Sequence, residues 1–325
     1  MNSTAPGLSL FSGSQQLYLA TVRPVYYVGS TSLFDFMPDH MLSLVAPIVA
    51  YWVTSLLFHM MDMSNAQWLE KYRLHESAEV KTRNLVSRTD VFVAVVVQHI
   101  IQTVLGLWWM QKKPSGDEID HLSALVGKAP LLLSVIRALF GDKMGVQLWA
   151  SYGHELVFFV YWWAIPCVRF LLGMFIIDTW EYFLHRAMHL NAYLYRTLHS
   201  VHHRLYVPYA YGALYNHPLE GFLLDSCGAA LAETIVQMST REATLLFVIS
   251  TIKTVDDHCG YNFPWDPLQI MATNNADYHD IHHQKIGIKS NFAQPFFVHW
   301  DTLLGTRMTR KDIEERRTKI QSKVE

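Results

Sequence analysis

The chain is short of charge. Asp, Glu, Lys and Arg make up 17% of its 325 residues, against about 25% in an ordinary soluble domain. With hydrophobic residues at 51%, that shortfall points to a membrane protein. A net charge of −2 gives no basic field for nucleic acid, so no such partner is expected. Cysteine is scarce as well. Cys167, Cys227 and Cys259 are odd in number and form no CxxC pair, which excludes a disulfide framework and a thiolate zinc site. The sequence has no HExxH motif, the signature of a zinc-dependent hydrolase. The first 20 residues lack the basic stretch and apolar core of a cleaved signal peptide. Internal repeats and low-complexity linkers are missing too.

Long apolar runs are present. Residues 42–61 and 91–111 contain no Asp, Glu, Lys or Arg, and each matches the ~20 residues a helix needs to cross a bilayer. A third candidate span, 156–177, is interrupted by Pro166 and Arg169. Residues 130–140 are apolar but too short to cross, which suits an interfacial position. Residues 222–254 are apolar yet carry Asp225, Glu233, Arg241 and Glu242. They read as a helical hairpin that dips into the membrane or lies on it. The expected fold is an all-α integral membrane protein with several transmembrane helices and a cytosol-facing, histidine-rich helical di-metal site. Its expected parts are an N-terminal segment (1–41), membrane-spanning helices with their loops (42–177), a histidine-rich catalytic region (178–305) and a basic tail (306–325). The tail holds Arg307, Arg310, Lys311, Arg316, Arg317, Lys319 and Lys323, whereas segment 1–41 has only Arg23. The positive-inside rule then expects a cytosolic tail and a lumenal N-terminus. Asn2-Ser3-Thr4 is formally a glycosylation sequon.

Of 17 histidines, ten fall between positions 185 and 283. His185 and His189 form an i, i+4 pair. His199, His202 and His203 form an i, i+3, i+4 triple, and His279, His282 and His283 repeat it. On a helix, residues three and four apart share a face. The flanking sequences 178–190 and 192–205 suit helix, so helical faces would turn these eight imidazoles toward one another. His217 and His258 bring the candidate ligand set to ten. Neutral imidazole is the commonest protein metal ligand and suits Zn, Fe, Cu and Ni. Eight to ten ligands exceed what one ion takes, so two ions are expected. Asp178, Glu181, Asp257 and Asp280 are candidates to orient the ligands through their second ring nitrogen. His40, His59, His75, His99, His121, His154 and His299 stand alone and read as ordinary structural residues.

Asp178-Thr-Trp-Glu-Tyr-Phe-Leu-His185-Arg-Ala-Met-His189, His199-Ser-Val-His202-His203 and Tyr278-His279-Asp-Ile-His282-His283 resemble the fatty acid hydroxylase superfamily. The stretch from His203 through Tyr206, Tyr209, Tyr211, Tyr215 and Asn216-His217-Pro218 to Gly221 is similar to the sphingoid base 4-hydroxylase branch. Thr251 to Gly260 and Asn291 to Asp301 are similar to it as well. The resemblance spans roughly residues 40–310. It implies a non-haem di-iron monooxygenase with the eight motif histidines catalytic and all ten as metal ligands. It implies O2 as co-substrate and hydroxylation of carbon 4 of sphinganine or dihydroceramide. Electrons would come from NAD(P)H through cytochrome b5 and its reductase. No b5 domain is fused to the histidine-bearing half, so a separate b5 is expected, in the endoplasmic reticulum membrane. A sterol desaturase or methylsterol oxidase of the same superfamily is the alternative. A histidine-rich metal transporter is a further one, although transporters place polar sites within their spans and both triples lie outside the uncharged runs.

Overall fold

The computed structural model describes residues 7–29, 32–64, 66–110 and 120–322. The sequon and Lys323 lie outside them. Where the sequence is apolar and uncharged for 20 residues or so, the backbone can satisfy its own N–H and C=O groups only as helix. The chain does this in α2 (Asp39–Met63) and α5 (Arg88–Met110). Helix is the only extended regular structure among the described residues, apart from two isolated β-bridges. Four stretches are long and apolar enough to cross a membrane by length and composition: Asp39–Met63, Arg88–Trp109, His121–Phe140 and Asp142–Leu190.

Two of these differ from the sequence expectation. Residues 130–140, too short alone, follow directly on α6 (His121–Val126) as α7 (Ala129–Phe140), and together they reach 20 residues. The third span is not broken at Pro166. Helix α8 (Asp142–Phe159) passes into α9 (Ile165–Leu190) through a π-helical turn at Val160–Ala164. A π turn takes up an extra residue, so the missing proline N–H and the ring are accommodated without ending the helix.

The chain forms two compact units. One comprises residues up to 39 together with 114–171. Here α1 (Gly13–Thr21) starts with a capping box in which Ser12 and Gln15 bond reciprocally. Trp149 Nε1 donates to the Leu10 carbonyl at 3.1 Å, and Gln15 Nε2 donates to the Ala150 carbonyl at 2.8 Å. The core is Leu19, Leu125, Val126, Trp149, Val157 and Trp162.

The other unit comprises 40–113 and 172–325 and holds every motif histidine. Short helices α3 (Gln67–Glu70) and α4 (Ser77–Arg83) link α2 to α5. Beyond α9 come α10 (Ala192–Leu194), α11 (Pro218–Gly221), α12 (Cys227–Ile235) and α13 (Thr240–Asp257). The chain closes with α14 (Pro267–Met271), α15 (Ala276–His283), α16 (His299–Leu303) and α17 (Arg310–Gln321). A π turn, Phe222–Ser226, leads into α12, and α12 and α13 are separated by Val236–Ser239, where Gln237 has φ 55°. Helix α9 packs closely here. A Cβ on Gly173 would stand 2.7 Å from Met238 Cε and 2.8 Å from Leu246 Cδ2. Tyr51 in α2 donates to the Tyr211 carbonyl at 2.8 Å, tying the span to the 209–215 loop. Tyr209 and Tyr215 are buried in that core, and Tyr211 packs against it.

Candidate metal centre

Three chain segments deliver the eight motif histidines, and a fourth, the C-cap of α13, delivers His258. The last turns of α9 carry His185 and His189, and α15 carries His279, His282 and His283. The middle triple departs from the expected helix. Helix α10 gives way to a π turn at Tyr195–His199 and then a 3-10 turn at His202–Arg204.

The histidines gather into two groups rather than one. His185, His189, His199, His203 and His282 place one nitrogen each within 4.8 Å of one another, and His202, His258, His279 and His283 do the same. All nine are buried. Each HxxHH triple therefore straddles both groups. His199 and His203, four apart, face the first group, and His202 faces the second. In α15 the pattern inverts: His279 and His283 face the second group and His282 the first. The groups abut, with ring centroids 4.9 Å apart for His203 and His283.

His217 joins neither group. Pro218 opens α11 immediately after it, and His217 Nδ1 is used as the helix cap, accepting the Leu219 N–H at 3.2 Å.

Six of the nine outward ring nitrogens are anchored, whereas His203 Nδ1 and His279 Nδ1 have no partner. Nδ1 donates to a backbone carbonyl in His185 (Phe292, 2.8 Å), His202 (Tyr215, 3.0 Å), His258 (Thr254, 2.8 Å), His282 (Ser290, 2.7 Å) and His283 (Leu205, 2.7 Å). Those carbonyls are themselves positioned. Asp178 accepts the N–H groups of Phe296 and Phe297, and Asp301 accepts those of Phe292 and Ala293. Asn291, at φ 56°, donates to the Tyr278 and Met308 carbonyls and pins the loop beside α15.

A carboxylate that the sequence did not single out completes this shell. His199 Nδ1 meets Glu220 Oε1 at 2.5 Å, with both side chains buried. Three of the four expected acids do other work. Asp178 holds the loop, Asp257 pairs with buried Lys253, and Asp280 bonds His75 at 2.7 Å and also Arg310. Glu181 is buried one turn before His185. The one sequence sign of Glu220 is a charged residue set directly before the apolar stretch Phe222-Leu-Leu.

Burial holds the imidazoles neutral. It drives His202 down to about 4 and His258 and His282 to about 3. His199, His203, His279 and His283 are pushed well down too, by burial first and by neighbouring histidines second. Burial raises the Glu220 carboxyl to about 8, and Asp225 adds to the rise.

A cation fits this arrangement. An imidazole whose Nδ1 carries the proton presents a bare lone pair at Nε2. In the first group, Nε2 separations run from 2.7 Å (His189–His199) through 3.0 Å (His185–His199) to 3.2 Å (His189–His203). In the second, His279 Nε2 lies 2.9 Å from His258 Nε2 and 3.0 Å from His283 Nε2. One ring proton cannot satisfy both of those contacts, and His282 Nε2 has no partner at all. Two nitrogens each about 2.1 Å from a shared ion and at right angles about it stand about 3.0 Å apart. The observed spacings are those of ligand sets around two ions.

A family model described as fatty acid hydroxylase matches residues 170–306. Among curated relatives, the sphingolipid C4-hydroxylase SUR2 of Saccharomyces cerevisiae is 46% identical, covering 87% of this chain and 76% of its own length. Sphinganine C4-monooxygenase 1 of Arabidopsis thaliana is 42% identical, over 83% and 88%. The very-long-chain aldehyde decarbonylase GL1-9 of Oryza sativa subsp. indica is 37% identical, over 84% and 90%. The chain belongs to the fatty acid hydroxylase family. No solved structure matches it. The region matched by the hydroxylase model contains all nine grouped histidines and Glu220. The family is one of membrane hydroxylases, oxidoreductases, and the two groups are its candidate metal centre in this chain.

Proposed function

We propose that this protein is a sphingolipid 4-hydroxylase of the endoplasmic reticulum membrane. It hydroxylates carbon 4 of a long-chain base, sphinganine or dihydroceramide, to the phytosphingosine or phytoceramide product. The observation that carries the reading is the pair of buried imidazole groups, held neutral and turned inward by anchored Nδ1 atoms. The relatives named for carbon-4 oxidation of sphingolipids, similar over most of the chain, support the substrate.

Two iron ions bound by these groups would supply the redox chemistry by which dioxygen hydroxylates a C–H bond, with electrons from NAD(P)H through a separate cytochrome b5 and its reductase. Imidazole is a suitable donor because, unlike thiolate, it does not climb the sulfur oxidation ladder. The eight motif histidines and His258 are the proposed ligands, and Glu220 orients His199. The chain's own work is to fix six of the nine rings in the ligating tautomer, keep the site buried and seat the lipid. The basic tail supports a cytosolic face for the site.

The test is expression of the full chain in membranes given sphinganine or dihydroceramide with NADPH. A 4-hydroxylated product heavier by one oxygen atom is expected, and His202→Ala should abolish it together with part of the bound metal. Product from His202→Ala at the normal level would overturn the site. A sterol added in parallel checks the methylsterol oxidase alternative. A long-chain aldehyde checks the activity in the rice relative's name, whose similarity is also spread over most of the chain.

A further inference from the structure

Gln98 lies in the middle of span α5, 1% exposed, and neither its Oε1 nor its Nε2 has a hydrogen-bond partner. An unpartnered amide buried at a span is costly, and polar residues kept there usually serve a ligand or pathway. The amide does not stand alone. It crowds onto Gly221 of α11, where an added Cβ would come within 2.1 Å of Gln98 Nε2 and 2.9 Å of Asn216 Oδ1. Asn216 Oδ1 is likewise buried and without a partner. Next to Gly221 is Glu220, whose Oε1 is taken by His199 while Oε2 is buried and bonds no side chain. Gln98 Oε1 and Nε2 and Asn216 Oδ1 are thus unsatisfied about one turn of helix, beside Glu220, which is one hydrogen bond from a metal-group histidine. One turn along α5, Gln102 is already used, donating to Asp225 at 3.1 Å. The orphaned set is therefore local.

We propose that Gln98, Asn216 and Glu220 form the seat for the amino-alcohol head group of the lipid substrate. The assignment rests on the functional reading above and adds which end of the lipid is gripped, and by what. The seat is rich in acceptors, so its ligand must be rich in donors. A free long-chain base offers an amine and two hydroxyl groups. An N-acylated base offers an amide N–H in place of the amine. A sterol's single hydroxyl cannot satisfy the set. Location agrees with the chemistry. Carbon 4 is bonded to the hydroxyl-bearing carbon 3, so the reacting carbon follows the head group closely, and Glu220 places the seat against His199.

Gln98→Leu in the full chain is the test, because Leu keeps the bulk and removes only the amide. Labelled sphinganine binding to the detergent-solubilised, metal-free protein is measured beside turnover in membranes. The expected result is sphinganine affinity lowered about tenfold and KM raised similarly, the scale of one lost polar contact to a ligand. Binding of palmitate, which lacks the amino-diol, should be unchanged. Thermal stability should be equal or higher, since a buried unsatisfied amide has gone. A purely structural Gln98 would give the opposite, with lower stability and an unchanged preference. Gln98→Met serves if the Leu variant does not fold. Comparing sphinganine with dihydroceramide shows which donor set the seat takes, and the one weakened by the substitution is its ligand. Wild-type product with unchanged sphinganine and dihydroceramide affinities in the variant overturns this assignment alone. No 4-hydroxylated product from the wild type overturns the functional reading, and this assignment with it.

Discussion

Glu220 Oε1 lies 2.5 Å from His199 Nδ1, and the two side chains are 2% and 1% exposed. The carboxylate comes from α11 and the imidazole from the turn after α10, 21 residues earlier. When Nδ1 holds the proton, the anion fixes the ring's tautomer and makes Nε2 more basic. A cation at Nε2 in turn favours the ionised Glu220 and opposes the rise that burial imposes on it.

Replacing Glu220 by Gln keeps a hydrogen bond but removes the charge. Metal affinity of the five-histidine group should fall about 10- to 100-fold, read by titration against a competing chelator. Unchanged affinity would show that the contact does not tune the ligand.

The two groups predict a pattern of ion loss. His279→Ala leaves three histidines in the four-membered group, below the usual four ligands, so about one ion per chain should remain. His203→Ala leaves four in the larger group, and about two ions should be retained. The double variant His203→Ala/His282→Ala should drop to about one ion, and adding His279→Ala should leave none. Metal analysis of the purified proteins reads this directly. Loss of both ions in His279→Ala alone would mean that the groups are not separate sites.

Acid should unfold the metal-free protein before the loaded one. Burial holds His202 at about 4 and His258 and His282 at about 3, whereas in the unfolded chain they take a proton below about 6.5. As pH falls through about 6.5 the unfolded state binds more protons than the folded one, so stability is lost. Each such group contributes about 1.4 kcal/mol per pH unit. The loss ends only below the folded values. Melting temperatures of metal-free protein at pH 7.5, 6 and 5 should decline steeply, and bound metal should raise the curve at every pH without flattening it. A metal-free melting temperature independent of pH would contradict this assignment of charge.

Much of this was legible in the sequence, for identifiable reasons. Span length and lack of charge are one-dimensional properties, so α2 and α5 could be read directly. Histidine spacing marked eight of the nine residues that the fold brings together, because i, i+4 pairs share a face in π and α turns alike. The division into two groups was not legible, since the i, i+3, i+4 spacing does not say that His202 and His282 each turn to the other group. Continuity through Pro166 was hidden because it depends on the π turn at Val160–Ala164, which no periodicity announces. Glu220 was missed because its partner lies 21 residues away, and His217 was included although Pro218 commits it to capping α11. The orienting roles expected of Asp257 and Asp280 failed on competition, with Lys253 and Arg310 reaching those carboxylates.

The inward-facing lone pairs carry a consequence for how the protein becomes active. Nine uncharged nitrogen donors discriminate poorly among divalent transition ions, and such a set holds zinc at least as tightly as ferrous iron. Nothing in the ligand chemistry rejects a redox-inert occupant. The identity of the ions is then written by supply at the moment of folding rather than by the protein. Two preparations equal in amount, fold and total metal would differ in specific activity by their history of growth medium and handling. For this enzyme, activity per milligram is a gauge of metallation.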